Sequence, residues 1–179
     1  MNLPKTPRRT TPAFGFSYLE RALKDCLRKR EFGLADKQNV VDFFGQWEPQ
    51  PSCVFCGTNK GVSRWDHLVA VMDNGSTVAG NMVLSCASCD DSKGRRPYEE
   101  WMRGTAAMSP TTQHVSDVED RIRWIKRYIA EFGYVRVEEE QGLIESEVRR
   151  RAAVRSELAK LEKEVKSLVE DYRKRTGNR

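Results

Sequence analysis

The chain has 179 residues, of which 31 are Lys or Arg and 26 are Asp or Glu, leaving a net charge of +5. That length suits one ordinary domain, or a small domain with extensions, and argues against a multidomain machine. Hydrophobic residues make up 39% and charged residues 32%, so the core is modest, and no segment approaches the ~18 consecutive apolar residues that span a membrane. The basic start of the chain has no apolar stretch behind it, which argues against a secretory signal, and the protein is expected to be soluble and cytoplasmic with an anionic partner.

In chain order, the first dozen residues hold Pro4, Pro7 and Pro12 among Lys5, Arg8 and Arg9, the composition of an arm rather than a packed element. Over 18–30, Leu19, Ala22, Leu23, Cys26 and Leu27 recur at helical spacing, with basic residues opposite, and Cys26 is expected as a buried thiol. Residues 1–30 carry eight Lys and Arg against two Asp and Glu, so most of the net charge gathers there. A second helix is expected over 36–46, ended by Pro49-Gln50-Pro51. Short strands follow at 63–70 and 81–84, connected through the turn residues Asp73-Asn74-Gly75-Ser76. A helix beginning near Asp91 and restarting at Pro97 turns Tyr98, Trp101 and Met102 inward, and 104–113 reads as a linker. Ser116 and Glu119 have capping-box spacing, opening a helix striped by Val118, Ile122, Ile125, Ile129 and Phe132. After a break at Gly133 or Gly142, Val154, Leu158, Leu161, Val165, Leu168 and Tyr172 keep heptad spacing. The charged tail is therefore either a short coiled coil or a helix packed on its own domain.

Four of the five cysteines form two Cys-x-x-Cys pairs, Cys53 with Cys56 and Cys86 with Cys89, separated by 29 residues. In a reducing compartment two such pairs point to metal rather than disulfides, and four sulfurs close a tetrahedral zinc shell with no position left for substrate. The expected zinc is structural, and the gap, longer than a plain zinc ribbon's, means that something is inserted between the knuckles. The insertion carries Asp66-His67, one of only two histidines in the chain, followed by Gly80-Asn81; Asp90 comes immediately after the last cysteine of the pairs, ahead of the basic Lys93-Gly94-Arg95-Arg96.

This ordered set resembles the HNH nucleases with their ββα-metal fold, over about residues 53–102, on the motifs CVFC, WDH, GNMVLSC and a Cys pair followed by DDSKG. The resemblance implies an α+β fold: a mainly helical chain around a small zinc-stabilised ββα-metal core, with a long C-terminal helix. It divides the chain into a basic arm and helices at 1–51, the HNH domain at 52–104 and a helical region at 105–179. It further implies that His67 is the general base, Asp66 a ligand of a catalytic ion, and Asn81 the residue that pins the loop between the strands. The family's next ligand position, ordinarily His or Asn, holds Asp90 here, with Asp91 or a capping role for Asp90 as alternatives. Two carboxylates make a hard, anionic site that favours Mg²⁺ or Mn²⁺.

Histidine accepts a water's proton near neutral pH, as phosphodiester hydrolysis requires. Adjacent strand residues point to opposite faces, so Asp66 and His67 need a twist or bulge to serve one phosphate. Lys60, Arg64, Lys93, Arg95 and Arg96 are candidate backbone-phosphate contacts. The expected activity is metal-dependent cleavage of double-stranded DNA, of restriction type and by a homodimer. The competing readings are a non-catalytic zinc-stabilised nucleic-acid-binding module, and a nicking, mobile-element or RNA-directed nuclease.

Overall fold

A computed structural model describes residues 12–45, 51–136 and 143–177. The arm expected over the first dozen residues lies outside them, apart from Pro12. Among the described residues the fold is α+β and mainly helical, with six α-helices, two two-stranded sheets and a long C-terminal helix. The chain divides into two compact units, 24–139 and 1–23 with 140–179.

Helix α1 spans Pro12–Cys26 and α2 spans Leu34–Phe44. The first starts earlier than its apolar pattern suggested because proline, with φ already helical and no N–H to lose, is at home in the first turn. Cys26, at its last residue, is exposed rather than buried. In α2 the Asp36 carboxylate reaches back to accept the Gly33 N–H at 2.7 Å, and Gly45 ends the helix in the left-handed region at φ 59°.

The centre of unit 24–139 is an antiparallel hairpin of β2 (Val62–His67) and β4 (Met82–Cys86), while β1 (Arg30–Glu31) pairs in parallel with β3 (Thr77–Val78). Asp66 stands opposite Val83 and His67 opposite Met82; the register slips between Val62 and Arg64, where two steps along β2 match one along β4. The bulge therefore precedes the Asp66-His67 pair rather than dividing it. β2 is shorter than its hydrophobic run because the chain turns away after His67 into a short 3-10 helix, Val71–Asp73. Gly75 is required there, since a Cβ would lie 1.7 Å from the Val69 carbonyl oxygen.

Helix α3 (Ala87–Lys93) follows β4 without a break, four residues before its expected start, and α4 (Tyr98–Arg103) begins after Pro97. Residues 104–113 are not a loose linker: Ser109 and Pro110 are buried, Ser109 Oγ donates to the Gly104 carbonyl at 2.7 Å and Thr111 Oγ1 to that of Met102 at 2.7 Å. Short hydroxyl side chains here take up carbonyls left by the end of α4. Helix α5 (Val118–Glu131) is flanked by Asp117, and the Ser116–Glu119 capping box does not form. Instead Arg103 draws Glu119 away through two hydrogen bonds of 2.7 and 2.9 Å.

One core holds the unit together. Val40 and Phe44 of α2, Phe55, Leu68 and Val83 of the hairpin region, Trp101 and Met102 of α4, and Ile122, Ile125 and Tyr128 of α5 are all buried. Phe55 meets Trp101 edge-on at 5.2 Å, and Trp65 does the same with Phe32 at 5.0 Å, so both indoles serve packing.

In the other unit, α6 (Glu145–Thr176) is joined to α1 by Arg155, which donates to Glu20 at 2.9 Å. Leu158 and Ala159 face Phe16 and Ser17 across a cleft of about 180 Å³. Val154, Leu161, Leu168 and Tyr172 of the heptad series are exposed. Among the described residues no helix is long and apolar enough to cross a membrane.

Candidate metal and nuclease site

The four paired cysteines converge because three local structures aim them at one point. Cys53 and Cys56 flank a tight knuckle in which the Gly57 N–H donates to the Cys53 carbonyl and the Cys53 N–H to that of Thr58, each at 2.8 Å. Gly57 takes φ +76°, a conformation that side chains resist. Cys86 closes β4, and Cys89 lies in the first turn of α3. The four sulfurs lie within 4.8 Å of one another, and Cys53, Cys86 and Cys89 are buried. Hydrogen bonds from the Cys53 and Cys89 thiols push Cys56 down to about 4, while both donors are raised. Four soft donors at this separation fit a closed tetrahedral zinc site.

The knuckle is braced from outside. Gln113 Nε2 donates to Cys89 Sγ at 3.6 Å, and Arg121 Nη1 to the Val54 carbonyl at 3.2 Å. The Arg121 guanidinium packs so closely over Gly57 that a Cβ there would lie 2.5 Å from its Nη2.

Asp66 and His67, adjacent on β2, are met by different neighbours. Asp66 is buried, with its Oδ1 3.3 Å and Oδ2 3.1 Å from Lys93 Nζ. Lys93, at the end of α3, has 0% exposure, and its ammonium also donates to the His67 carbonyl at 2.6 Å. His67 Nε2 lies 2.9 Å from the Thr77 hydroxyl of β3. Asn81 is fully buried: its Oδ1 accepts the Val69 N–H at 2.8 Å, and its Nδ2 donates to the carbonyls of Val69 at 3.1 Å and Ser76 at 2.8 Å. One amide side chain therefore ties the two limbs of the excursion between β2 and β4. Gly80 before it takes φ +84°.

Asp90 and Asp91 are both bound by one side chain: Arg64 Nη1 donates to Asp90 Oδ2 at 2.8 Å and to Asp91 Oδ1 at 2.5 Å. Of the remaining basic residues, Arg95 pairs with Asp73 at 2.7 Å, Arg96 donates to the Ser92 carbonyl at 2.5 Å, and Lys60 is exposed. Lys93, expected beside a phosphate, is placed instead against Asp66.

Burial pushes the Asp66 carboxyl up to about 7; Lys93 opposes this and the negative charge of Asp90 adds to it. Asp66 Oδ2, although near the ammonium, is buried without a hydrogen-bond partner. That oxygen is instead ion-paired with Lys93 at 3.1 Å, and the two carboxylates of Asp66 and Asp90 are hard oxygen donors of the kind that suits a divalent ion such as Mg²⁺ or Mn²⁺. Among the described residues the four thiols are the one group of three or more such donors gathered within 4.8 Å.

Thr77, Arg121 and Tyr128 touch this region and were not singled out by sequence. Tyr128 falls on the apolar stripe of α5, where a tyrosine brings a polar end into the core, and that was the readable signal. Thr77 and Arg121 gave none, since a lone hydroxyl and a helix arginine are unremarkable in sequence.

No curated protein and no solved structure matches the chain. Residues 53–96 match the sequence model of the HNH endonuclease family. The matched segment is the one that holds the four thiols, Asp66, His67, Asn81 and Asp90, and its zinc-compatible cluster is consistent with the four-cysteine branch of that family.

Proposed function

We propose that this protein is a metal-dependent endonuclease that hydrolyses DNA phosphodiester bonds. The observation that carries the proposal is Asp66-His67 on the bulged strand of a hairpin whose other strand ends in the cysteine cluster, all within the HNH segment. In this reading His67 takes the proton of the attacking water, oriented by Thr77 at 2.9 Å. Asp66 and Asp90 would hold Mg²⁺ or Mn²⁺, which when bound would neutralise charge on the phosphate and leaving oxygen. Asn81 fixes the excursion between the strands. The exposed or half-exposed Lys60, Arg64, Arg95 and Arg96 are assigned to the DNA backbone, where cations position the duplex without reading its sequence. Cys53, Cys56, Cys86 and Cys89 would hold a structural Zn²⁺.

Restriction-type cleavage of both strands by a homodimer is the finer part of the proposal. A single site of this kind cuts one strand, and the exposed Val154, Leu161, Leu168 and Tyr172 of α6 offer a seam for a second copy. Light scattering should give a dimer mass that falls to a monomer's when residues after Ala153 are deleted; a mass unchanged by the deletion would make the tail a helix packed on its own domain, and a monomer mass for the full chain would leave a nicking enzyme. A specific observation favours a second reading, a nucleic-acid-binding module without catalysis: Lys93 and Arg64 already compensate Asp66 and Asp90. Incubating supercoiled plasmid with the protein and Mg²⁺ or Mn²⁺ separates the two. Linear or nicked product supports the nuclease, and duplex binding without any cut supports the module.

A further inference from the structure

Helix α5 lies outside residues 53–96, yet two of its side chains reach into that segment from one face. Arg121 and Tyr128 are seven residues apart, two turns, which returns them to the same side of a helix about 10 Å along it. Arg121 donates to Val54 in the cysteine knuckle. Tyr128 is fully buried, and its hydroxyl accepts the Gly80 N–H and donates to the Met82 carbonyl, both at 2.7 Å. The two bonded residues flank Asn81, and Met82 is the cross-strand partner of His67. The Tyr128 ring is separately held by Phe43, Phe44 and Phe132 at centroid distances of 5.0 to 5.4 Å. Ring and hydroxyl therefore do different things: the ring packs, and the hydroxyl clamps the backbone on either side of Asn81.

We propose that Tyr128 is a positioning residue for cleavage, its hydroxyl fixing the Gly80-Asn81-Met82 turn and through it the strand position of His67. The inference rests on the nuclease reading above. A reacting group misplaced by about 1 Å can lose about 100-fold in rate.

The test is Tyr128→Phe, which keeps the packed ring and removes only the clamp, alongside Ile125→Val, a buried truncation one turn earlier on the same helix. The expected result for Tyr128→Phe is a kcat for plasmid cleavage lower by about 10- to 100-fold with KM for DNA within about twofold of the parent. Ile125→Val should stay within about threefold in both, and Gly80 amide exchange should accelerate in Tyr128→Phe alone. Cleavage by Tyr128→Phe within twofold of the parent, or an equal loss in Ile125→Val, would overturn the positioning role. If the parent cuts no DNA, the nuclease reading and the cleavage role built on it both fall. Gly80 exchange needs no activity, so unchanged exchange would remove the clamp whatever the parent does.

Discussion

At the cysteine cluster four donors of one kind converge on a single point. At the carboxylates a few residues away each acid is met by a cation of the chain: Asp66 by Lys93, and Asp90 by Arg64. The contrast separates a site built by backbone geometry from one built by charge balance. The knuckle aims its sulfurs through turn hydrogen bonds of the backbone. Burying Asp66, by contrast, costs energy that a nearby ammonium offsets, and the chain supplies one from the end of α3. A metal is thus expected to act as a structural staple in the first site and to adjust an existing balance in the second.

The largest effect is expected at the thiols. Structural zinc in small domains contributes about 10–16 kcal/mol of apparent binding energy, as much as a whole domain's stability. Chelation, or Cys53→Ser, should therefore unfold the 24–139 unit by circular dichroism, and metal analysis of the parent should show about one zinc per chain. A chelated protein that stays folded would reduce the cluster to four thiols without a structural metal. Next in size is Lys93→Met, which strips the cation from a buried carboxylate and should cost about 3–5 kcal/mol in urea unfolding. A loss below about 1 kcal/mol would show that the pair does not hold the hairpin to α3.

The pH dependence of Asp66 sharpens the same contrast. Its carboxyl lies at about 7 in the folded chain, against about 4 when unfolded, so the folded state keeps the proton more tightly. Stability from that proton is fully present below about pH 4 and is lost as pH rises through 7, at most about 4 kcal/mol. Without added divalent ion, Asp66→Asn should flatten this decline in a series of melts from pH 5 to 8. An equal slope in parent and variant would place the burial cost elsewhere.

Legibility in the sequence followed the same division. The knuckles could be read because Cys-x-x-Cys spacing is itself the geometry, and the α5 stripe because Ile122 and Ile125 repeat with the helix. The segment containing Asp66, His67 and Asn81 was legible as an ordered motif. What lay hidden was long-range and polar: Lys93 folding back onto Asp66 across 27 residues, Arg64 reaching Asp90 across 26, and Tyr128 reaching Gly80 across 48. Single charged and hydroxyl residues carry no period, so nothing local distinguishes a buried lysine from a solvated one. The misplaced helix starts share a cause, since proline at position 12 and the direct run from β4 into α3 satisfy backbone groups in ways apolar spacing does not record.

The most direct test of the account is plasmid cleavage by His67→Ala beside the parent, with Mg²⁺ or Mn²⁺ added and zinc content and duplex affinity measured on both. Loss of a general base should lower cleavage by about 10²- to 10⁴-fold while zinc and DNA binding persist. Cleavage by His67→Ala at the parent's rate would contradict the account.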